Sequence, residues 1–161
     1  NVSSVAHKFA NLDLDNLNLE GNFNGLLAYG NSKLANILFT RELARRLEGT
    51  GVNVNAVHPG TIRTNLGKRF ETKWFKYFFG FLRLFMKGVQ KGARTPIYLA
   101  SSPKVKDVSG KYFVKKKVKK PSKQARDETL QRGLWDISEL LTDIRQENAI
   151  EIPQVISQVE T

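Results

Sequence analysis

One helix constrains most of what this chain can fold into. Leu34, Ile37, Leu38 and Leu47 recur at a 3–4 spacing, with Ala35, Leu43 and Ala44 filling the same stripe. A helix here must press one apolar face onto a neighbour. Arg41, Arg45 and Arg46 are expected mostly on its wet side. Gly49 and Gly51 follow, where a glycine just past the last turn is expected to stop a helix. Residues 52–57 then alternate apolar and polar side chains and end at Pro59-Gly60. That is the pattern of a short strand closed by a turn.

The flanking segments continue the alternation. Residues 1–6 read as the end of a strand. Residues 8–25 form a loop rich in Asn, Asp and Gly. Its Leu12, Leu14, Leu17 and Leu19 predict that the loop packs down on the body of the fold. Residues 88–101 read as a helix ended by Pro103, and 110–114 as a strand. Residues 124–141 read as a final amphipathic helix built on Leu130, Leu134, Ile137 and Leu141. From residue 147 onward the sequence is polar and is expected to fray. Strands that alternate with helices predict an α/β protein with a parallel sheet.

Composition narrows the function classes. The chain has 161 residues, a length that suits one domain with a real core. It has no Cys, which excludes a disulfide framework and thiol chemistry. No carboxylate and histidine cluster has metal-ligand spacing, so no metal is expected. Residues 74–86 are strongly apolar but few, and they include Lys76 and Arg83; a simple bilayer span needs about 20 residues. There is no signal peptide and the first residue is Asn, so a processed chain or a fragment is expected.

The net charge is +11 and unevenly spread. Residues 63–126 hold 19 basic and two acidic side chains, Glu71 and Asp107. A run of this kind is a solvated face, a phosphate pocket, or a surface for nucleic acid or anionic membrane.

The chemistry concentrates at Tyr29-Gly30-Asn31-Ser32-Lys33, a phenol and an ammonium four residues apart. On a helix they share one face. A free phenol, with a pKa of about 10, is a poor proton donor and acceptor at neutral pH. A nearby ammonium favours the phenolate and makes it useful. The spacing alone is weak: with 4 Tyr in the chain, roughly 0.4 such pairs arise by chance. A second pair exists, Tyr112 and Lys116. It lies in a strand-like run, where positions four apart are about 13 Å distant, so those two are not expected to cooperate.

Context separates the pairs. Asn1-Val2-Ser3-Ser4, then Tyr29-x-x-Ser32-Lys33, then Val57-His58-Pro59-Gly60-Thr61 resembles the second half of a short-chain dehydrogenase/reductase. The string Ala28-Tyr29-x-x-Ser32-Lys33-Leu34-Ala35-Asn36-Ile37-Leu38-Phe39-Thr40 is similar to the retinol dehydrogenase branch. So is the 25-residue interval from Ser4 to Tyr29. The resemblance covers about residues 1–141.

The resemblance implies the C-terminal portion of a Rossmann-type, doubly wound parallel sheet. Residues 1–146 would be the catalytic half of a nucleotide-binding domain and 147–161 a polar tail. It implies an oxidoreductase that interconverts a hydrophobic alcohol and its aldehyde or ketone, a retinoid among them, with NADP as preferred cofactor and NAD as the alternative. Tyr29 would be the general acid or base. Lys33 would favour its phenolate and bind the nicotinamide ribose. Ser4, matching the second serine of the family's strand-end motif, would hold the substrate oxygen. Pro59, Gly60, Thr61 and Ile62 would lie against the nicotinamide, with Thr64 near its carboxamide or the phosphates. His7 reads as a loop residue and His58 as part of the strand-to-turn motif, neither as a catalyst.

The same resemblance implies a substrate lid after the Pro-Gly turn. Residues 70–87 carry Trp74, Phe78 and Phe81 among basic side chains, which suits a greasy substrate or a membrane surface. It implies an intracellular location, peripheral on the endoplasmic reticulum or another organelle membrane. Oligomeric state is not indicated. No Gly-rich phosphate turn occurs anywhere in the chain, nor do the family's nucleotide-selecting residue and catalytic Asn. A chain holding the catalytic half without most of the cofactor half, inactive alone, is therefore expected. The alternative is a basic module for nucleic acid or membrane, built on lysines such as Lys115, Lys116 and Lys117. No base-stacking motif accompanies them, so no nucleic acid is expected.

Overall fold

The computed structural model describes residues 1–21, 23–60 and 89–142. Three strands, β1 (Ala56–His58), β2 (Tyr112–Val114) and β3 (Lys117–Lys119), form one sheet in that order. β1 and β2 run parallel, with Val57 opposite Phe113. Val2 extends the sheet on the other side of β1 through a parallel bridge to Val57. Ser3 N–H donates to the Val57 carbonyl and Val57 N–H to the Asn1 carbonyl, both at 2.8 Å. Helix α1 (Gly25–Arg46) lies between Val2 and β1 in sequence, and α2 (Val89–Ser101) between β1 and β2. This is the predicted α/β alternation.

β3 was not foreseen. It runs antiparallel to β2, with Phe113 opposite Val118. The two residues between them, Lys115 and Lys116, have φ of 50° and 62°, the left-handed pair that a tight hairpin needs. The usual Asn-Gly signal is absent there, and a run of lysines hides the strand. Exposed lysines on this edge oppose pairing with another chain.

β1 starts later than the alternation from residue 52 predicts. The polar members of that alternation are spent sideways. Asn55 Nδ2 donates to the Val108 carbonyl at 2.5 Å, its Oδ1 accepts from Lys111 N–H at 3.0 Å, and Asn53 Nδ2 donates to the Lys106 carbonyl. These side-chain bonds supplement two backbone bonds, Gly110 N–H to the Val54 carbonyl at 2.7 Å and Ala56 N–H to the Lys111 carbonyl at 2.9 Å.

The expected final helix is split. A 3₁₀ turn covers Gln124–Arg126, then α3 runs Glu128–Thr142. Asp127 between them is extended, and its Oδ1 accepts Leu130 N–H at 3.2 Å, which is how an N-cap starts a new helix. Leu134 is buried and Leu130 packs against the core, but Leu141 is 74 % exposed and takes no part in the stripe.

The core joins Leu34, Ile37 and Leu38 of α1 to Leu12, Ala56, Tyr112, Ala125 and Leu134. Burying each large aliphatic side chain stabilises by about 1.5–3 kcal/mol. Leu14 and Leu17 pack against this core, so the loop is held down as its leucines predict. The wet-side reading holds for Arg46, which is exposed, while Arg41 and Arg45 are half-buried. Glu42 is buried, and Arg45 and Arg46 both turn back to pair with it, Arg46 Nε at 2.8 Å from its Oε1. Arg45 also donates to Gln131 of α3 at 2.9 Å. Arg46 lies over the Trp135 ring, 4.3 Å from its centroid. This face of α1 is therefore packed under α3. Among the described residues no helix is long and apolar enough to cross a membrane.

Candidate active site

Polar side chains fasten the strand end to α1. Ser3 Oγ donates to the Lys33 carbonyl at 2.7 Å. Asn36 Nδ2 donates to the Val2 carbonyl at 2.9 Å, and Asn1 Nδ2 to Thr40 Oγ1 at 2.8 Å. Lys33, Asn36 and Thr40 follow one another at spacings of three and four, so one helix face holds the whole segment 1–3. Nothing in the apolar stripe announced this row.

The two adjacent serines have different environments. Ser3 is buried and its hydroxyl is used by the helix. Ser4 is half-buried at the N-cap of the 3₁₀ turn Val5–Phe9, where its Oγ accepts Ala6 N–H at 3.2 Å. Its own O–H has no acceptor among the described residues. A hydroxyl used this way keeps its proton to give.

Tyr29 and Lys33 are half-buried on α1, which begins a full turn earlier than Tyr29. Asn24 starts the helix by accepting Leu26 and Leu27 N–H. Lys33 Nζ lies 5.5 Å from the Tyr29 ring centroid, so phenol and ammonium share one face. Lys33 makes no ion pair among the described residues. Between them Gly30 is buried, and a Cβ there would stand 3.3 Å from the Ala6 carbonyl oxygen. The missing side chain lets the turn after Ser4 press on the helix turn that carries Tyr29.

The other tyrosine–lysine pair is separated. Tyr112 is buried in β2, and burial pushes its phenol up to about 12. Lys116, in the hairpin turn, holds its ammonium 5.6 Å from the centroid of the Tyr98 ring instead.

Pro59 and Gly60 follow β1. Gly60 has φ +92°, and among the described residues nothing lies within 4 Å of where its Cβ would be. His58 ends β1 half-buried, with Nδ1 unpartnered among the described residues. Burial lowers its pKa below the usual 6.5, and the charge of His7 adds to this. Thr61, Ile62 and Thr64, the apolar segment 70–87 and the tail 147–161 lie outside the described residues.

His7 differs from its reading as a loop residue. It is completely buried on the 3₁₀ turn. Its ring meets Tyr112 edge-on, with centroids 5.0 Å apart. One ring nitrogen contacts the Ser4 carbonyl and the other the Ser122 N–H. The one available signal was its place three residues after the strand-end serine.

A family model described as short chain dehydrogenase matches residues 19–74, a range that takes in Tyr29, Lys33 and residues 59–64 but not Ser4. Retinol dehydrogenase 14 of Homo sapiens is 49 % identical over 145 residues, covering 89 % of this chain and 43 % of that protein. Retinol dehydrogenase 13 of Homo sapiens is 40 % identical over 161 residues, covering 95 % of this chain and 48 % of that protein. A crystal structure of an uncharacterized protein from Mycobacterium Paratuberculosis superimposes with a TM-score of 0.65 at 31 % identity, over 88 % of this chain and 48 % of that one. The chain thus spans about half the length of the curated relatives it matches. With its α/β architecture and its paired tyrosine and lysine, the chain belongs to the short-chain dehydrogenase family and is similar to its retinol dehydrogenase members.

Proposed function

We propose that the protein interconverts a hydrophobic alcohol and its aldehyde or ketone, a retinoid among the candidate substrates, as an NAD(P)-dependent oxidoreductase. The observation that carries this reading is the Tyr29–Lys33 pair on α1, pressed through Gly30 onto the turn that follows Ser4. The bound nicotinamide supplies a hydride in reduction or accepts one in oxidation.

The chain's own residues handle the proton and the geometry. In reduction, the Tyr29 phenol gives its proton to the substrate carbonyl oxygen; in oxidation, its phenolate takes the alcohol proton. Lys33, whose ammonium lies 5.5 Å from the Tyr29 ring centroid, donates to a ribose hydroxyl. Ser4 donates its O–H to the substrate oxygen and holds it beside Tyr29. Gly60 carries no side chain and turns the chain after Pro59 with φ +92°. The proposed contacts to the nicotinamide are Pro59, Gly60, Thr61 and Ile62, with Thr64 assigned to its carboxamide or the phosphates. On this reading residues 1–146 are the catalytic part of the nucleotide-binding domain, and residues 70–87 are the contact with a greasy substrate or a membrane. That contact fits an intracellular protein peripheral to the endoplasmic reticulum or another organelle membrane. NADP is preferred over NAD on the similarity to retinol dehydrogenases.

The test is direct. The full-length protein is incubated with all-trans-retinal and NADPH, then NADH, and retinol is quantified by chromatography. Retinol formation, faster with NADPH, is the expected result. Failure to reduce retinal and a series of long-chain aldehydes with either nucleotide overturns the proposal.

A further inference from the structure

We propose that His7, with its ring proton on Nδ1, is a positioning residue for Ser4. This rests on the reading of Ser4 as the residue that holds the substrate oxygen. His7 Nδ1 lies 2.6 Å from the Ser4 carbonyl oxygen. A carbonyl only accepts, so Nδ1 must carry the proton. Nε2 is then a bare acceptor, and Ser122 N–H donates to it at 3.2 Å. The two contacts assign the tautomer without further assumption.

The same carbonyl also accepts the His7 backbone N–H at 3.3 Å. His7 therefore grips the Ser4 peptide twice, while Ser4 Oγ is oriented by Ala6 N–H. The anchor at the far side of the ring is firm. The segment after β3 is tied to the loop before α1, with Leu12 N–H and Asn11 Oδ1 both bonded to the Gln124 side chain. Tyr112 of β2 meets the ring edge-on. A fully buried ring with both nitrogens used and an edge-on contact to Tyr112 has little freedom to move. Its position is passed to the serine turn, so a hydroxyl at the end of a short strand acquires a defined place.

The ring works only in its neutral form, because a proton on Nε2 would meet the Ser122 N–H. The titratable and charged groups around it are Lys8 on its own turn, His58 at the end of β1 and Tyr112 on β2. Among the described residues none of them is an anion that would favour imidazolium.

The test uses the full-length protein with all-trans-retinal and NADPH. His7→Phe keeps the ring volume and removes both nitrogens. It is expected to lower kcat about 10- to 100-fold, as loss of an orienting partner does, while leaving the KM for NADPH unchanged. His7→Asn restores a donor towards the Ser4 carbonyl and is expected to recover most of that loss. In a Ser4→Ala background, His7→Phe is expected to cost little more, because its effect passes through Ser4. An equal fold-loss in both backgrounds means that His7 is merely structural and overturns the proposal. Full kcat in Ser4→Ala removes the role of Ser4, and the proposal with it. A strong Ser4→Ala defect beside an undiminished His7→Phe enzyme removes the clamp alone. Should His7→Phe fail to fold, the ring nitrogen shifts of the parent protein decide by NMR. A protonated Nδ1 supports the clamp, and a protonated Nε2 overturns it.

Discussion

The Ser3 hydroxyl donates to the Lys33 carbonyl at 2.7 Å, so the strand that presents Ser4 and the helix that presents Tyr29 meet in one joint. Ser3 is buried, and its bond bridges 30 positions of sequence. Removing the hydroxyl as Ser3→Ala is expected to cost about 1 kcal/mol, the net worth of an ordinary hydrogen bond. It is also expected to lower kcat more than that small loss implies, because the joint sets the Ser4–Tyr29 distance. Denaturant melts and steady-state kinetics on one preparation check this. A kcat equal to the parent's, with stability reduced, would show that the joint only supports the fold.

The two tyrosines are expected to differ sharply. Tyr29→Phe keeps the ring over which Lys33 lies but removes the titrating proton, so redox turnover should fall by at least about 100-fold. Nucleotide affinity should change little. Tyr112→Phe should leave turnover near that of the parent, since its phenol is buried and Lys116 rests on Tyr98. Turnover numbers and fluorescence titration of NADPH separate the two effects. Parental activity in Tyr29→Phe would sink the assignment.

Stability should depend on the two histidines in a defined direction. Burial lowers the pKa of both His7 and His58 from 6.5 in the folded protein. In His7 the bond to the Ser4 carbonyl opposes this shift, and the Lys8 charge adds to it. Below pH 6.5 the unfolded chain then binds more protons than the folded one, so stability falls as pH drops. The contribution is complete above 6.5 and is lost as pH falls through the lowered folded values. Unfolding midpoints measured downward from pH 7.5 should fall below 6.5, and less steeply in His7→Asn. A midpoint that rises on acidification would contradict the burial of both rings.

The sequence carried the site further than it carried the fold's edges. Leu34, Ile37 and Leu38 placed α1 because burial follows the 3.6-residue period closely. Tyr29 and Lys33 could be paired because four residues on a helix means one face. The Lys115–Lys116 hairpin was hidden, since lysine has no preference for a left-handed turn that a reader could use. Asp127 sits inside the helical pattern of residues 124–141, and its capping role depends on the extended backbone before α3, which the pattern does not carry. His7 offered only its place three residues after Ser4, its one local partner. Its other partners, Ser122 and Tyr112, are more than a hundred positions away, and no local pattern encodes a contact of that range.

Gly30 offers a way to move the site without unfolding it. Inside a helix, Gly→Ala ordinarily gains about 1 kcal/mol of intrinsic stability. Here the new methyl group would stand 3.3 Å from the Ala6 carbonyl oxygen and 3.6 Å from Ala10 Cα. The first contact is tight and made by a backbone atom, so the turn after Ser4 must shift by a few tenths of an ångström rather than a side chain swinging aside; the second is ordinary contact. The propensity gain and the contact strain oppose each other, and the melting temperature should change by only a few degrees. The catalytic geometry has no such compensation. A displacement of about 1 Å costs on the order of 100-fold in rate, so a shift of a few tenths should lower kcat several-fold. Gly30→Ala is therefore expected to be nearly neutral in thermal unfolding and clearly impaired in retinal reduction, with the KM for NADPH preserved. A variant that keeps full kcat would show that the turn carrying Ser4 need not touch the helix turn carrying Tyr29.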